Sequence, residues 1–151
     1  MTVRAAVPAD RAFFEDLGAR TLGASVATSR SAPEPMVRVS YERLLDLVFG
    51  QSHVGLVAEE GGVRIGFLLM LDQLPDEVTS LPQGFVAYMA VEPEARRSGV
   101  ARALLAAAED EAKRRSLPYM ALMVTEENAA ARALYEDAGY RTERRLLCKE
   151  L

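Results

Sequence analysis

Residues Gly84 to Val91 are apolar at nearly every position. A strand wetted on one face alternates polar and apolar residues, whereas a run like this belongs to a strand covered on both faces. It therefore reads as a central strand, with helices above and below. The run stops at Glu92-Pro93, a short polar loop follows, and Gly99-Val100-Ala101 opens an alanine-rich helix that extends to Ser116. A strand, a loop with a small residue and a fresh helix N-terminus form an anion receptor. The first N–H groups of a helix lack partners within it and carry partial positive charge. Phosphate binds readily there. Arg96, Arg97 and Arg102 add full charges. The stretch implies a phosphate-bearing ligand, against the competing reading of a helix start with solvated arginines. It lacks the Gly-Lys-Ser/Thr ending of a P-loop and the three-glycine spacing of a dinucleotide fingerprint.

The chain has 151 residues, half of them hydrophobic, which suits a single domain, 1–151, with its own core. Its net charge of -4 argues against a nucleic-acid binder. Cys148 is the only cysteine, so no internal disulfide is expected, in keeping with a reducing cytoplasm. Met1 to Asp10 lacks an apolar signal core, and no apolar run approaches the ~20 residues of a membrane span. His53 is the only histidine, and no metal site is expected.

The remaining elements follow from periodicity and punctuation. Thr2 to Ala6 reads as a strand, and Pro8-Ala9-Asp10 starts a helix ending near Gly18. Thr21 to Pro35 reads as a loop. Val37 to Phe49 has helical spacing and stops at Gly50. His53–Glu59 and Val63–Leu71 flank Glu60-Gly61-Gly62, a hairpin signal. Leu74 to Pro82 reads as a connection, Tyr119 to Thr125 as a strand, and Asn128 to Ala138 as a helix capped by Gly139. Arg141 to Leu151 reads as a final strand or hairpin. The order β-α-α-β-β-β-α-β-α-β gives an α/β (α+β) fold, one mixed sheet with helices on its faces.

Asn128 to Tyr140 forms a second constellation. Ala131, Leu134, Tyr135 and Ala138 share one helical face, and Asn128 stands where an N-cap belongs. Alone, these residues suit packing and capping. Together, a central strand, Arg96-x-x-Gly99-x-Ala101, a helix, a strand and Asn-x-x-Ala-x-x-Leu-Tyr-Glu-x-x-Gly-Tyr resemble the GCN5-related N-acetyltransferase (GNAT) superfamily over about Phe85 to Tyr140. The resemblance implies a twisted, mixed and mostly antiparallel sheet splayed at its central strands, with acetyl-CoA in the cleft. It implies that the backbone of Met89, Ala90 and Val91 holds the pantetheine arm, and that an N–H near Met89 meets the oxyanion. The amides of Arg97, Ser98, Gly99, Val100 and Ala101 would hold the pyrophosphate beside Arg96, and Arg102 would contact the 3′-phosphate or the same diphosphate. Asn128 would hydrogen-bond the cofactor, and Tyr135 would protonate the leaving thiolate.

The implied activity is direct acetyl transfer to a primary amine: a peptide N-terminus, a lysine, a polyamine, an aminoglycoside or another small amine. The alternatives are a non-catalytic acyl-CoA sensor and a nucleotide or phosphate binder on the same helix terminus. Met123 stands where the ribosomal-protein alanine acetyltransferases carry a glutamate, so the base is unassigned among Glu126, Asp72, His53 and water. Thr21–Pro35 and Leu74–Pro82 would rim the acceptor end. Asp72, Asp76 and Glu77 would favour a cationic amine there, unless they are ordinary loop charges. A homodimer would use Val63–Leu71 and Arg144–Leu147, which ordinary core packing explains equally.

Overall fold

A computed structural model describes residues 1–151. Five strands, β1 (Thr2–Ala5), β2 (His53–Glu60), β3 (Val63–Pro75), β4 (Pro82–Val91) and β5 (Met120–Leu122), form one sheet in sequence order. Its first four strands are antiparallel, and β4 and β5 run parallel. The helices are α1 (Arg11–Thr21), α2 (Glu34–Phe49), α3 (Val100–Arg114) and α4 (Ala129–Asp137). The β4-to-β5 crossover contains α3, as a parallel pair requires.

Both faces of the sheet are covered. Leu56, Leu68, Met70 and Val86 pack against Val100, Leu104, Leu105 and Ala108 of α3. On the other face Val57, Phe67, Leu69 and Leu71 meet Phe14 and Leu17 of α1 and Tyr41, Leu45 and Val48 of α2. This two-sided burial explains why β3 and β4 lack alternation. Within Val63–Leu71, Phe67 to Leu71 are buried in the core and offer no surface to a second copy, whereas Val63 is exposed.

The β2–β3 hairpin turns at Gly61 (φ 57°) and Gly62 (φ 80°), a left-handed pair that suits the twist of the flanking strands. The expected connection from Leu74 to Pro82 is partly strand. Leu74 pairs with Gln83 and Pro75 with Pro82, and the Asp76 carboxylate closes the turn by accepting from Val78 and Thr79 N–H (2.7 and 3.1 Å).

At the other end of the sheet, the fully buried Asp10 carboxylate joins three segments. Arg4 of β1 donates to it at 2.7 and 3.1 Å, Arg64 of β3 reaches it at 2.8 Å, and Val7 N–H donates at 2.9 Å. The Arg4 guanidinium is the main cause that holds the Asp10 carboxyl at about 2.

Three expectations change. Helix α1 does not end at Gly18 but continues to Thr21. Gly18 is a contact residue: the Tyr41 ring lies on it, and an added Cβ would stand 1.8 Å from Tyr41 Oη. That hydroxyl donates to Phe14 O at 2.6 Å. Strand β5 is shorter than Tyr119–Thr125, because its partner β4 turns away. Arg141–Leu151 forms no strand and makes no main-chain hydrogen bond. Leu146, Leu147 and Leu151 are 86%, 87% and 111% exposed, and Arg144 pairs with Glu77. The segment has no strand beside it, although the outer edge of β5 is open.

Gly18→Ala tests the Tyr41 contact. Helix propensity alone favours alanine by about 1 kcal/mol, whereas overpacking costs about 1–3 kcal/mol. Loss of the Tyr41 bond adds to the cost, so denaturant unfolding is expected to show net destabilisation. A stabilised variant would mean that the ring moves aside freely.

Candidate functional site

The site begins with one extra residue in β4. Leu69 pairs with Tyr88 and Met70 with Val86, so Ala87 is bulged out of the ladder. A bulge bends its strand and increases the local twist. Pairing with β5 covers only Gly84, Val86 and the residue between them, against Met120–Leu122. Beyond Val86 the two strands part, and the β5-facing edge of β4 has no strand partner from Ala87 to Val91, where Val91 O accepts from Arg96 Nε at 3.5 Å. Glu92 N–H donates to Ile65 O at 2.9 Å. Alternation along the strand then turns the polar main-chain groups of Ala90 towards β3 and those of Met89 and Val91 towards the gap. The splay leaves the main-chain groups of Met89 and Val91 facing the gap, while Ala90 contributes a buried side chain.

At the end of this edge, α3 presents its first turn. Gly99 is its N-cap with φ 86°, and Arg97 also has positive φ, 61°. These left-handed residues turn successive amides outward, a backbone arrangement that binds anions. None of the N–H groups of Arg97, Ser98, Gly99, Val100 and Ala101 has an acceptor within the chain. A Cβ on Gly99 would meet nothing within 4 Å, so space for a ligand lies in front of it. The Ser98 hydroxyl is turned back, donating to Ala95 O at 2.6 Å. Arg96 and Arg97 are exposed, and Arg102 lies 3.4 Å from Asp137. Five free amides with three arginines fit a diphosphate.

Helix α4 forms the opposite wall. Asn128 Oδ1 accepts from Ala131 N–H at 3.1 Å, the expected cap. Its Nδ2 donates to Ala24 O at 3.4 Å, so both ends of this side chain are engaged. Tyr135 packs against the same core cluster as Met89 and Val91 and meets Tyr140 edge-on at 6.0 Å. Its hydroxyl makes no hydrogen bond within the chain, and burial pushes its phenol above the ordinary value. It is held protonated.

The acidic rim dissolves on inspection. Asp72 is 1% exposed and paired with Arg115 at 2.7 Å, Asp76 serves its own turn, and Glu77 meets Arg144. Glu126 lies near Arg132 (3.5 Å). His53 Nδ1 contacts Gln51 O at the far end of the sheet, where β2 begins. No cluster of His, Cys, Asp and Glu is placed to hold a metal ion. A groove of about 570 Å³ between α1 and α2 is lined by charges that are paired apart from Glu42, among them Arg11 with Glu15 and Asp46. It is a solvated seam. Two features escape sequence reading: the bulge at Ala87, a small residue inside an apolar run, and the contact of Glu127 with Thr28 across 99 positions.

Comparison with known proteins agrees with this geometry. The profile of the Acetyltransferase (GNAT) family matches residues 23–140. Among solved structures, an acetyl transferase candidate from Pyrococcus furiosus superposes with a TM-score of 0.84 at 22% identity, over 99% of both chains. A ribosomal-protein-alanine N-acetyltransferase from Brucella melitensis biovar Abortus 2308 gives 0.72 at 25% identity, over 100% of both. AAC(6′)-Iy, solved with the bisubstrate analogue CoA-S-monomethyl-acetylneamine, gives 0.71 at 20% identity, over 99% of this chain and 97% of that one. No curated protein sequence matches.

Titration with inorganic pyrophosphate is expected to shift the amide resonances of Arg97 to Ala101 in NMR spectra. Gly99→Glu, which places negative charge and bulk before those amides, is expected to abolish the shifts. Shifts confined to other residues would place the anion site elsewhere.

Proposed function

The chain belongs to the Acetyltransferase (GNAT) family, and from that premise we propose that residues 1–151 act as one N-acetyltransferase domain, working in the cytoplasm, that moves an acetyl group from acetyl-CoA to a primary amine in a ternary complex. The observation that carries the proposal is the row of unpartnered amides from Arg97 to Ala101 at the end of an open strand edge.

In this reading the amides of Arg97–Ala101, with Arg96 and Arg102, hold the diphosphate of acetyl-CoA. The main chain of Met89 and Val91 aligns the pantetheine arm as an added strand would be aligned. The N–H of Met89 faces the gap and meets the oxygen on which negative charge develops when the amine attacks. Tyr135 Oη delivers a proton to the departing sulfur, and its raised pKa keeps that proton in place until then. Asn128 reaches the cofactor with the second N–H of Nδ2, the first being given to Ala24 O. No acid stands along β4 from Phe85 to Val91, and Met123 is 81% exposed. The amine therefore attacks in its neutral form and loses its proton through water. No covalent acetyl-enzyme is required.

The acceptor is found by a panel of amines. The substrates named for the structural neighbours put an N-terminal alanine peptide and an aminoglycoside first, beside spermidine and lysine. Thiol release is the readout. With the amine the panel returns, Tyr135→Phe is expected to lower turnover by about 10²–10⁴-fold while acetyl-CoA affinity stays nearly unchanged. Unaltered turnover would return Tyr135 to a packing role.

We also propose that the protein is a homodimer in which Arg141–Leu151 of each copy lies along the open edge of β5 in the other, a pairing that covers Leu146 and Leu147. Light scattering is expected to give twice the monomer mass for the full chain and the monomer mass for a chain ending at Tyr140. A monomeric full chain would overturn the pairing.

A further inference from the structure

The segment that follows α1 crosses the cleft. It leaves α1 beside β4, where Thr21 Oγ1 lies 3.4 Å from Tyr88 Oη, and makes a short 3-10 turn over Leu22–Ser25. It then reaches the junction of β5 and α4, where three side chains grip it. The Glu127 carboxylate accepts from Thr28 N–H at 3.0 Å and from Thr28 Oγ1 at 2.7 Å. Thr125 Oγ1 donates to Ser25 O at 2.9 Å, and Asn128 Nδ2 to Ala24 O at 3.4 Å. The two Thr28 donors hold the Glu127 carboxyl below its ordinary value.

These anchors stretch residues 24–28 from the β4 side to the β5 side, over the gap that opens past Ala87. The span lies on the α1–α2 face, whereas α3 covers the other face. Diphosphate held at the α3 N-terminus and an amine arriving beneath the loop would therefore approach the same gap from opposite faces. Inside the segment there is little other order: Val26 N–H reaches Gly23 O at 3.4 Å and Arg30 N–H reaches Ala27 O at 2.9 Å. Exposed polar contacts each contribute little, so a loop held by so few of them is close to release. Glu127 accepts the pair of bonds to Thr28, and its loss leaves only the carbonyl contacts at Ala24 and Ser25.

We propose that Glu127 and Thr28 are positioning residues that clip residues 24–28 across the cleft and thereby govern which amine reaches the thioester, independently of acetyl-CoA affinity. The clip rests on the acetyltransferase reading above. Its sequence signature is slight: a glutamate beside the Asn128 cap and a threonine in a Ser/Thr-rich loop.

Glu127→Ala, Glu127→Gln and Thr28→Val can be compared with the wild type in full-length protein. The readouts are deuterium uptake over residues 22–30, tryptic cleavage after Arg30, calorimetry with acetyl-CoA, and kinetics with an N-terminal alanine peptide, spermidine and neamine. In Glu127→Ala, uptake and cleavage are expected to quicken about two- to fivefold, the scale of an exposed charged contact. KM for the amine that the wild type uses is expected to rise by a similar factor, with acetyl-CoA affinity unchanged. Thr28→Val keeps its N–H and is expected to fall between. Glu127→Gln, whose amide oxygen still accepts from Thr28, is expected to stay near the wild type. Unchanged uptake in Glu127→Ala, or faster uptake with an unchanged amine KM, overturns the clip while leaving the acetyltransferase reading intact. A wild type that binds acetyl-CoA but uses none of these amines counts against that reading itself, and the clip's role in amine choice falls with it.

Discussion

One surplus residue in β4 sets the geometry on which everything else depends. A parallel pair that stayed in register would close its own edge with hydrogen bonds and leave no room between strands. Because Ala87 is bulged, β4 and β5 share a short ladder at one end and diverge at the other. The divergence exposes main-chain groups that a sheet would otherwise consume. It also explains why β5 is so short and why a loop from the far face can reach the junction of β5 and α4. The cleft is a consequence of sheet geometry, with side chains added around it.

The proposed anion receptor depends equally on packing that lies out of its sight. Gly66 of β3 lets α3 come close: a Cβ there would stand 3.0 Å from Ala90 O and 3.1 Å from Val100 Cγ1. The helix is then held by Leu104, Leu105 and Ala108, all essentially buried. Its first turn is thereby fixed at the end of the open β4 edge, with its amides already turned outward. Such preorganisation matters because a flexible loop would have to lose conformational freedom on binding. Arg102 and Asp137 link the receptor to α4 across the same opening.

Much of this was legible in the sequence, for identifiable reasons. The apolar run of β4 marks a strand with two covered faces, and the Gly61-Gly62 turn fixes the neighbouring hairpin. Gly99 marks the start of α3 because few residue types take the left-handed conformation its N-cap needs. Asn128 and Gly139 mark both ends of α4 through cap chemistry. What failed depended on distant partners. Gly18 reads as a stop until Tyr41, from another helix, is known to lie on it. Asp72 reads as a loop acid until Arg115 is seen beside it. The alternation in Arg141–Leu151 reads as a strand, but a strand needs a neighbour, and none within this chain is offered. The bulge left no trace because Ala87 suits a regular strand as well as a bulged one.

The Asp10 node couples the attachment of β1 to protons. Its carboxyl titrates at about 2 in the fold instead of the ordinary 3.8, so the unfolded chain takes up a proton at a pH where the folded chain does not. The stability gained from that difference is complete above the unfolded value and drains away as pH falls through about 2. Alkali leaves it untouched, because the Arg4 guanidinium, raised further by its bonds to Asp10 and Glu59, keeps its charge. The first strand is thus fastened by a contact that only strong acid undoes.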